Sequence, residues 1–486
     1  MRQGTYRQSF AANGRIRLAA QGVERWGAGM VKQILVPFEG EGFGVEDLTW
    51  GQIGFWEGMY NTGQSATMGG ITADLPPGTG IDEVAEGLAF VVGRHQSLRT
   101  RLRFEPDGRV RQVCESSGQI PIEIVDAGDG DPDEVAETVR ERYSVVNFDY
   151  EHEWPVRTAV IMKGGELCRV VTVYLHLAVD ATGMDLVLAD LASRDPETGA
   201  AAGPVTAVQP LEQARQQRAP AALRRCAASL RYLEHVFRTM TPQRFGEPKY
   251  PEDPGFRQIR FRSPATALAV RRIAEQENTN TSSVLLACFA VGVARHTRNS
   301  LVMAFMLVNN RFRPGFAESV SPLVQLSPYL IDVADATLGE AVARARGSVL
   351  NTYKNAYYDP RRQDEVIAQV ERDRGEEIDY SCFYNDRRRQ DRGLSCEPMP
   401  TDAEIRAAVA LSEYEWQSPP DMPTRKLYVN VDDPPGAIDF VMSVDNRYFS
   451  IDDTIAVARG METVAVEAAL DPTTPTGVAA MVGQLA

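Results

Sequence analysis

The sequence predicts a mixed α/β fold, α+β in its element order, arranged in two lobes. Three observations carry that reading. The chain has 486 residues, more than one core usually organises at about 150 residues per domain. Segments of strand period alternate with segments of helical period through both halves. Apolar residues make up 43% of the sequence and charged residues 24%, enough to fill a core and solvate a surface. The expected organisation is an N-terminal extension over 1–44, an N-terminal lobe over 45–208 and a C-terminal lobe over 209–486.

The chain opens with Arg2, Arg7, Arg15, Arg17 and Arg25, and Glu24 is the one acid before Met30. It lacks the apolar segment of a secretory signal. Met30-Val31-Lys32-Gln33-Ile34-Leu35 reads as a natural beginning, so the first 29 residues are expected to be peripheral. Leu48-Thr49-Trp50-Gly51-Gln52-Ile53-Gly54-Phe55-Trp56 gathers aromatic residues at a helix start, and those side chains also fit an ordinary core. A helix is expected over 81–95, strands over 100–105, 110–115 and 122–125, a helix over 132–144 and a strand over 155–162. Residues 194–208, rich in Ala, Gly and Pro, read as a connection.

A long helix from Pro220 to Thr239 follows, with a basic face. From 256 a second series begins: a strand at 257–261, helices at 264–276 and 281–296, and a strand at 301–308. Strands at 326–333, 378–384, 426–430 and 438–444 and a helix from Asp452 complete it. No repeat of 20–50 residues is present.

Composition excludes several functions. A formal charge of −15 argues against nucleic-acid binding, which needs a basic stripe to match phosphates, and against attraction to anionic lipid. No apolar run approaches the roughly 20 residues of a membrane span. The six cysteines form no CxxC pair, which fits reduced thiols in a cytoplasmic protein. Five histidines, dispersed as His95, His152, His176, His235 and His296, make a multi-histidine metal site improbable. The acidic loop Asp126, Asp129, Asp131 and Asp133 lacks the glycine and distal glutamate of a calcium loop, and reads as a turn capping the next helix.

The stretch Val173-Tyr174-Leu175-His176-Leu177-Ala178-Val179-Asp180-Ala181-Thr182-Gly183 organises the reading. Arg169-Val170-Val171-Thr172-Val173-Tyr174-Leu175 is β-branched and aromatic, as a buried strand requires. Small residues then permit a turn, and Leu186, Val187, Leu188, Leu191 and Ala192 mark a helix with Thr182 as its expected cap. A strand that delivers His176 into a turn braced by Asp180 presents an imidazole rigidly. A histidine at a strand end beside a capping Asp fits the same residues without any chemistry.

The order of landmarks resembles the condensation-domain superfamily of non-ribosomal peptide synthesis, built on the chloramphenicol-acetyltransferase fold. Leu48-Thr49-Trp50-Gly51-Gln52 is similar to its opening L-S/T-x-x-Q motif, and Arg94-His95-Gln96-Ser97-Leu98-Arg99-Thr100 to its R-H-x-x-L-R-T motif. Leu175-His176-Leu177-Ala178-Val179-Asp180-Ala181 lies on the active-site motif H-H-x-x-x-D-G. Asn310-Arg311 falls where the family places a buried arginine, and Val320-Ser321-Pro322-Leu323-Val324-Gln325-Leu326 lies on the later G-x-F-V-N-T motif.

The resemblance implies two chloramphenicol-acetyltransferase-like lobes in a V-shaped pseudo-dimer with a central tunnel. It assigns His176 the catalytic role, as acceptor of the proton of an attacking nucleophile or donor to the oxyanion. Asp180 and Arg311 are implied to form an ion pair bridging the lobes. Leu175, Trp50, Arg99 and Gln325 become candidates for substrate or tunnel contact, though Arg99 equally fits a salt-bridge partner. Two departures stand out. Leu175 replaces the first histidine, and Ala181 replaces the glycine, adding a Cβ and disfavouring a positive φ; Gly183 is the nearest compensating glycine.

The implied activity is that of a free-standing condensation enzyme. It would transfer an acyl or peptidyl group from a phosphopantetheine thioester to an amine, with ester formation onto an alcohol as the close variant. No G-G-x-S carrier segment occurs, so an acyl- or peptidyl-carrier protein is expected in trans. No metal or cofactor is expected, because the carrier brings the phosphopantetheine. The protein is expected to be a monomer. A non-catalytic recruitment platform of the same fold is the alternative, motivated by Leu175 and Ala181.

Overall fold

The computed structural model describes residues 19–26, 29–195, 198–201, 203–253, 255–388, 398–418 and 425–480. These pack as two units, one within 1–223 and 310–324, the other within 224–309 and 325–486.

The first unit begins with β1 (Ala19–Trp26), β2 (Gly29–Glu39), β3 (Gly44–Asp47), α1 (Trp50–Thr62), β4 (Thr67–Asp74) and α2 (Ile81–Arg94). It continues with β5 (Thr100–Phe104), β6 (Val110–Cys114), β7 (Ser117–Asp126), α3 (Pro132–Val145), β8 (Val156–Lys163), β9 (Glu166–Leu175), α4 (Ala181–Ala192) and α5 (Pro210–Gln217). Helix α6 (Pro220–Thr239) contains the unit boundary.

A six-stranded sheet runs β1-β2-β7-β8-β9-β4, antiparallel but for the β7–β8 pair. Strands β3-β6-β5 form a small antiparallel sheet. The β7–β8 pair is parallel because α3 provides the crossover. Asp131 caps that helix, accepting the Asp133 N–H at 3.0 Å, while Asp126 accepts from Gly128 N–H at 2.9 Å. The acidic loop therefore works as a turn and a cap.

The extension expected over 1–44 contributes the paired strands β1 and β2 and the start of β3 to the sheets of this unit. Strand β2 pairs with both β1 and β7, and its Ile34, Val36 and Phe38 are buried. Strand alternation sets both faces of β9 to work. Val171 and Val173 pack with Val139 and Tyr143 of α3, and Tyr174 packs on the opposite side with Val91 of α2 and Val187 of α4. Apolar packing on both faces fixes the strand's position and register.

The second unit holds β10 (Phe256–Ser263), α7 (Pro264–Gln276), α8 (Thr281–Thr297), β11 (Leu301–Val308), β12 (Gln325–Asp332), α9 (Leu338–Lys354) and α10 (Arg361–Arg374). It ends with β13 (Cys382–Asp386), α11 (Asp402–Val409), β14 (Glu413–Gln417), β15 (Leu427–Asp432), β16 (Ile438–Asp445) and α12 (Ile451–Leu470). Its sheet runs β12-β11-β13-β15-β16-β10-β14, with parallel pairs at β11–β13 and β13–β15. Helix α8 is buried from Ser283 to Ala294, which explains its uniformly apolar sequence.

Candidate active site

His176 stands one residue beyond β9, and its neighbours fix the main chain on both sides. Leu175 N–H donates to the Pro155 carbonyl and His176 N–H to the Ala66 carbonyl, each at 2.9 Å. The next three residues turn back under the ring, with Leu177, Ala178 and Val179 all buried. His176 Nδ1 then lies 2.8 Å from the Val179 carbonyl oxygen. A carbonyl only accepts, so Nδ1 carries the proton and Nε2 of the neutral ring holds a lone pair. Phe55 of α1 stacks on the imidazole with centroids 3.7 Å apart and planes 25° apart. Burial lowers the pKa of His176 below the ordinary histidine value; the backbone bonds and the charge of Asp180 pull the other way.

Asp180 closes the turn and starts α4. Its Oδ1 accepts the Gly183 N–H at 2.8 Å, so Asp180, and not Thr182, is the cap. The same oxygen lies 2.6 Å from Arg311 Nη2, and Oδ2 accepts the Leu323 N–H at 3.0 Å. Both side chains are buried. Because 310–324 packs with the first unit, this pair is internal to that unit and does not bridge the lobes as the resemblance implies.

The two substituted motif positions have plain explanations. Ala181 is the first helical residue, is exposed, and is not among the residues of positive φ. Its Cβ therefore meets no conformational penalty. Gly183 also lacks a positive φ; its value is space, since a Cβ there would lie 3.3 Å from Asp180 Oδ1 and 3.6 Å from Arg311 Nη2. Leu175 is buried beside a cavity of about 10 Å³, lined also by Gln52, Leu177 and Ala178 and sized for one water.

Three of the expected tunnel candidates have protein partners of their own. Arg99 is fully buried and donates to the carbonyls of Gly93 at 3.3 Å and Gly42 at 2.7 Å, and to those of Glu41 and Glu115. Its partners include four main-chain carbonyls and no carboxylate among the described residues, so it works as a strut. Trp50 is buried at the start of α1, and its main-chain N–H donates to Gln217 Oε1 at 2.9 Å. Gln325 lies in the second unit, where its Nε2 donates to the Tyr358 carbonyl at 2.7 Å.

Sequence reasoning missed the roles of Gln52, Phe55 and the Leu323 amide. Thr49 and Gln52 form a capping box, and Gln52 Nε2 reaches the Leu177 carbonyl at 3.4 Å, tying α1 to the turn that carries His176. The signal was present: Thr followed three residues later by Gln is a capping box, and Phe55 lies another three residues on, along the same helix face. No sequence pattern marks a main-chain N–H such as that of Leu323.

Fold and site together define a mixed α/β protein of the chloramphenicol-acetyltransferase-like class. Residues 55–385 match the condensation-domain family, and the chain belongs to it. Condensation domains act in non-ribosomal peptide and polyketide biosynthesis on carrier-bound substrates, and are generally acyltransferases. The condensation domain that mediates chain release from the enacyloxin polyketide synthase is similar in structure: TM-score 0.67, 18% identity, 92% of this chain and 86% of that chain covered. The protein SgcC5 from Streptomyces globisporus, solved with a naphthyl-ethanediol, gives 0.63 at 18% identity over 88% and 100% of the chains. The X-domain from teicoplanin biosynthesis, solved in complex with OxyB, gives 0.64 at 15% identity over 92% and 98%. At these identities the likeness establishes the fold. No curated protein is found to match the chain. No described helix is long and apolar enough to cross a membrane.

Proposed function

We propose that this protein is a condensation enzyme that passes an acyl or peptidyl group from a carrier-bound phosphopantetheine thioester to an amine. The carrier acts in trans and brings the phosphopantetheine. One observation carries the reading: the Nδ1 contact with the Val179 carbonyl leaves Nε2 of His176 as a lone-pair donor, on a turn locked by Asp180 and Arg311. The amine nitrogen attacks the thioester carbonyl, and Nε2 takes the proton it sheds. The C–S bond then breaks, and the imidazolium returns that proton to the leaving thiolate. The thioester supplies the driving force, so the step needs no metal or nucleotide.

An alcohol acceptor would follow the same path to an ester, and the hydroxyl-bearing molecule bound in the similar SgcC5 structure supports that variant. A recruitment platform is the second reading, favoured by the leucine at position 175 and by the similar X-domain that binds OxyB. Intact-protein mass spectrometry with acyl-loaded carrier and amine or alcohol acceptors separates these. Transfer by the wild type that is lost in folded His176→Ala supports the enzyme. Transfer that survives the substitution removes His176 from the chemistry. Carrier binding without transfer to any acceptor supports the platform.

A further inference from the structure

We propose that Phe55 is a positioning residue that holds the His176 imidazole in one plane and one tautomer, so that Nε2 is presented to substrate. The inference deepens the proposed role of His176 as proton acceptor and rests on it. Two constraints are needed to orient an imidazole. The Val179 carbonyl fixes the Nδ1 edge at 2.8 Å, but the ring can still swing about that contact. The Phe55 ring, 3.7 Å away between centroids and tilted by 25°, removes the remaining freedom by closing one face.

The support beneath Phe55 is itself rigid. Helix α1 begins in the Thr49–Gln52 capping box, and Gln52 contacts the carbonyl of Leu177, the residue after His176. One helix therefore holds both the turn and the face of the ring, the arrangement that keeps a reacting group in a productive geometry. By covering that face, Phe55 also contributes to the burial that lowers the histidine's pKa. Of the charged groups nearby, Asp180 acts in the opposite direction and Arg311 is paired with Asp180, while Arg101 and Glu153 line the cavity beside Leu175 and Leu177.

The test is ¹⁵N NMR of the histidine side chains in the full chain, comparing wild type, Phe55→Ala and Phe55→Tyr, with His176→Ala to assign the signal. The expected result is a single Nδ1–H tautomer in wild type and Phe55→Tyr. Phe55→Ala should give a tautomer mixture and a titration midpoint raised by about 0.5–1 pH unit. In the transfer assay, Phe55→Ala should lower kcat about tenfold with little change in KM. A folded Phe55→Ala protein that keeps the wild-type tautomer and midpoint overturns the proposal. If Phe55→Ala does not fold, Phe55→Leu keeps apolar volume without the flat ring and gives the same readout at smaller amplitude. The NMR result is independent of turnover, so an inactive wild type would refute the proposed reaction while the role of Phe55 is still decided.

Discussion

Asp180 and Arg311, 131 positions apart in sequence, meet at 2.6 Å with both side chains buried. The carboxylate has a second duty on each side, capping α4 through Gly183 and holding the Leu323 amide. One residue thus joins the His176 turn, the following helix and the 310–324 segment. Removing the cation leaves a buried carboxylate with only main-chain donors. Arg311→Ala is therefore expected to lower the free energy of unfolding by about 3–5 kcal/mol, read by urea denaturation. A loss below about 1 kcal/mol would contradict the buried pair as the brace of the turn.

The protonation of His176 sets the pH dependence of the proposed transfer. The base must be neutral to accept a proton, and burial lowers its pKa below the ordinary 6.5. Activity should therefore persist as pH falls through 6.5 and disappear only at lower pH, where Nε2 becomes protonated. A pH profile of kcat/KM checks this. A limb centred above 6.5 would place the titrating group elsewhere.

How much was readable in the sequence depended on where the forces act. Strand β11 and helix α7 fall at their expected limits because a continuous apolar run and a proline-started amphipathic segment are local signals. Strands β1 and β2 lie outside the expected series, although Ile34, Val36 and Phe38 alternate as a half-buried strand requires. Helix α9 was missed despite the capping box of Thr337 and Glu340. The strand expected at 378–384 begins at Cys382 instead, since Asp379 turns to accept from Ser381 N–H at 3.0 Å and Lys426 Nζ at 3.0 Å. At the site, His176 and Asp180 could be named from adjacent residues. Arg311 was found only through the order of motifs, because a contact across 131 positions leaves no periodic trace. Arg99 misled for a physical reason: its partners are main-chain carbonyls, which every sequence contains.

A second ion cluster anchors the far end of α4. Asp190 Oδ2 lies 2.8 Å from Arg94 Nε and 3.0 Å from His95 Nε2. His95 first, and then Arg94, hold the Asp190 carboxyl down to about 2, from an ordinary 3.8. A depressed carboxylate stabilises the fold above its unfolded pKa and loses that contribution as pH falls through its folded pKa. The stability gap between wild type and Asp190→Asn should thus be full above pH 3.8 and should close as pH falls toward about 2. With Asp190 about a quarter exposed, the gap is expected to be about 1–2 kcal/mol. Equilibrium denaturation between neutral pH and pH 2 checks it, and a gap that widens on acidification would reverse the sign.

Two glycines on α1 should respond to the same substitution in opposite directions. A Cβ at Gly51 would overlap the carbonyl oxygen of Pro322 and lie 2.9 Å from its carbonyl carbon, so main chain has to move. Pro322 immediately precedes Leu323, whose N–H holds Asp180, and displacement there acts directly on the turn that carries His176. Gly51→Ala should cost about 1–3 kcal/mol, the range for overpacking a filled contact. At Gly58 nothing lies within 4 Å of an added Cβ. Gly58→Ala should gain about 0.5–1 kcal/mol, because alanine loses less backbone entropy in a helix. Thermal denaturation of the two variants side by side removes helix propensity as an explanation: only close packing of α1 on Pro322 makes the first destabilising while the second stabilises. Equal shifts of the same sign would mean that the Gly51 contact is loose enough to yield.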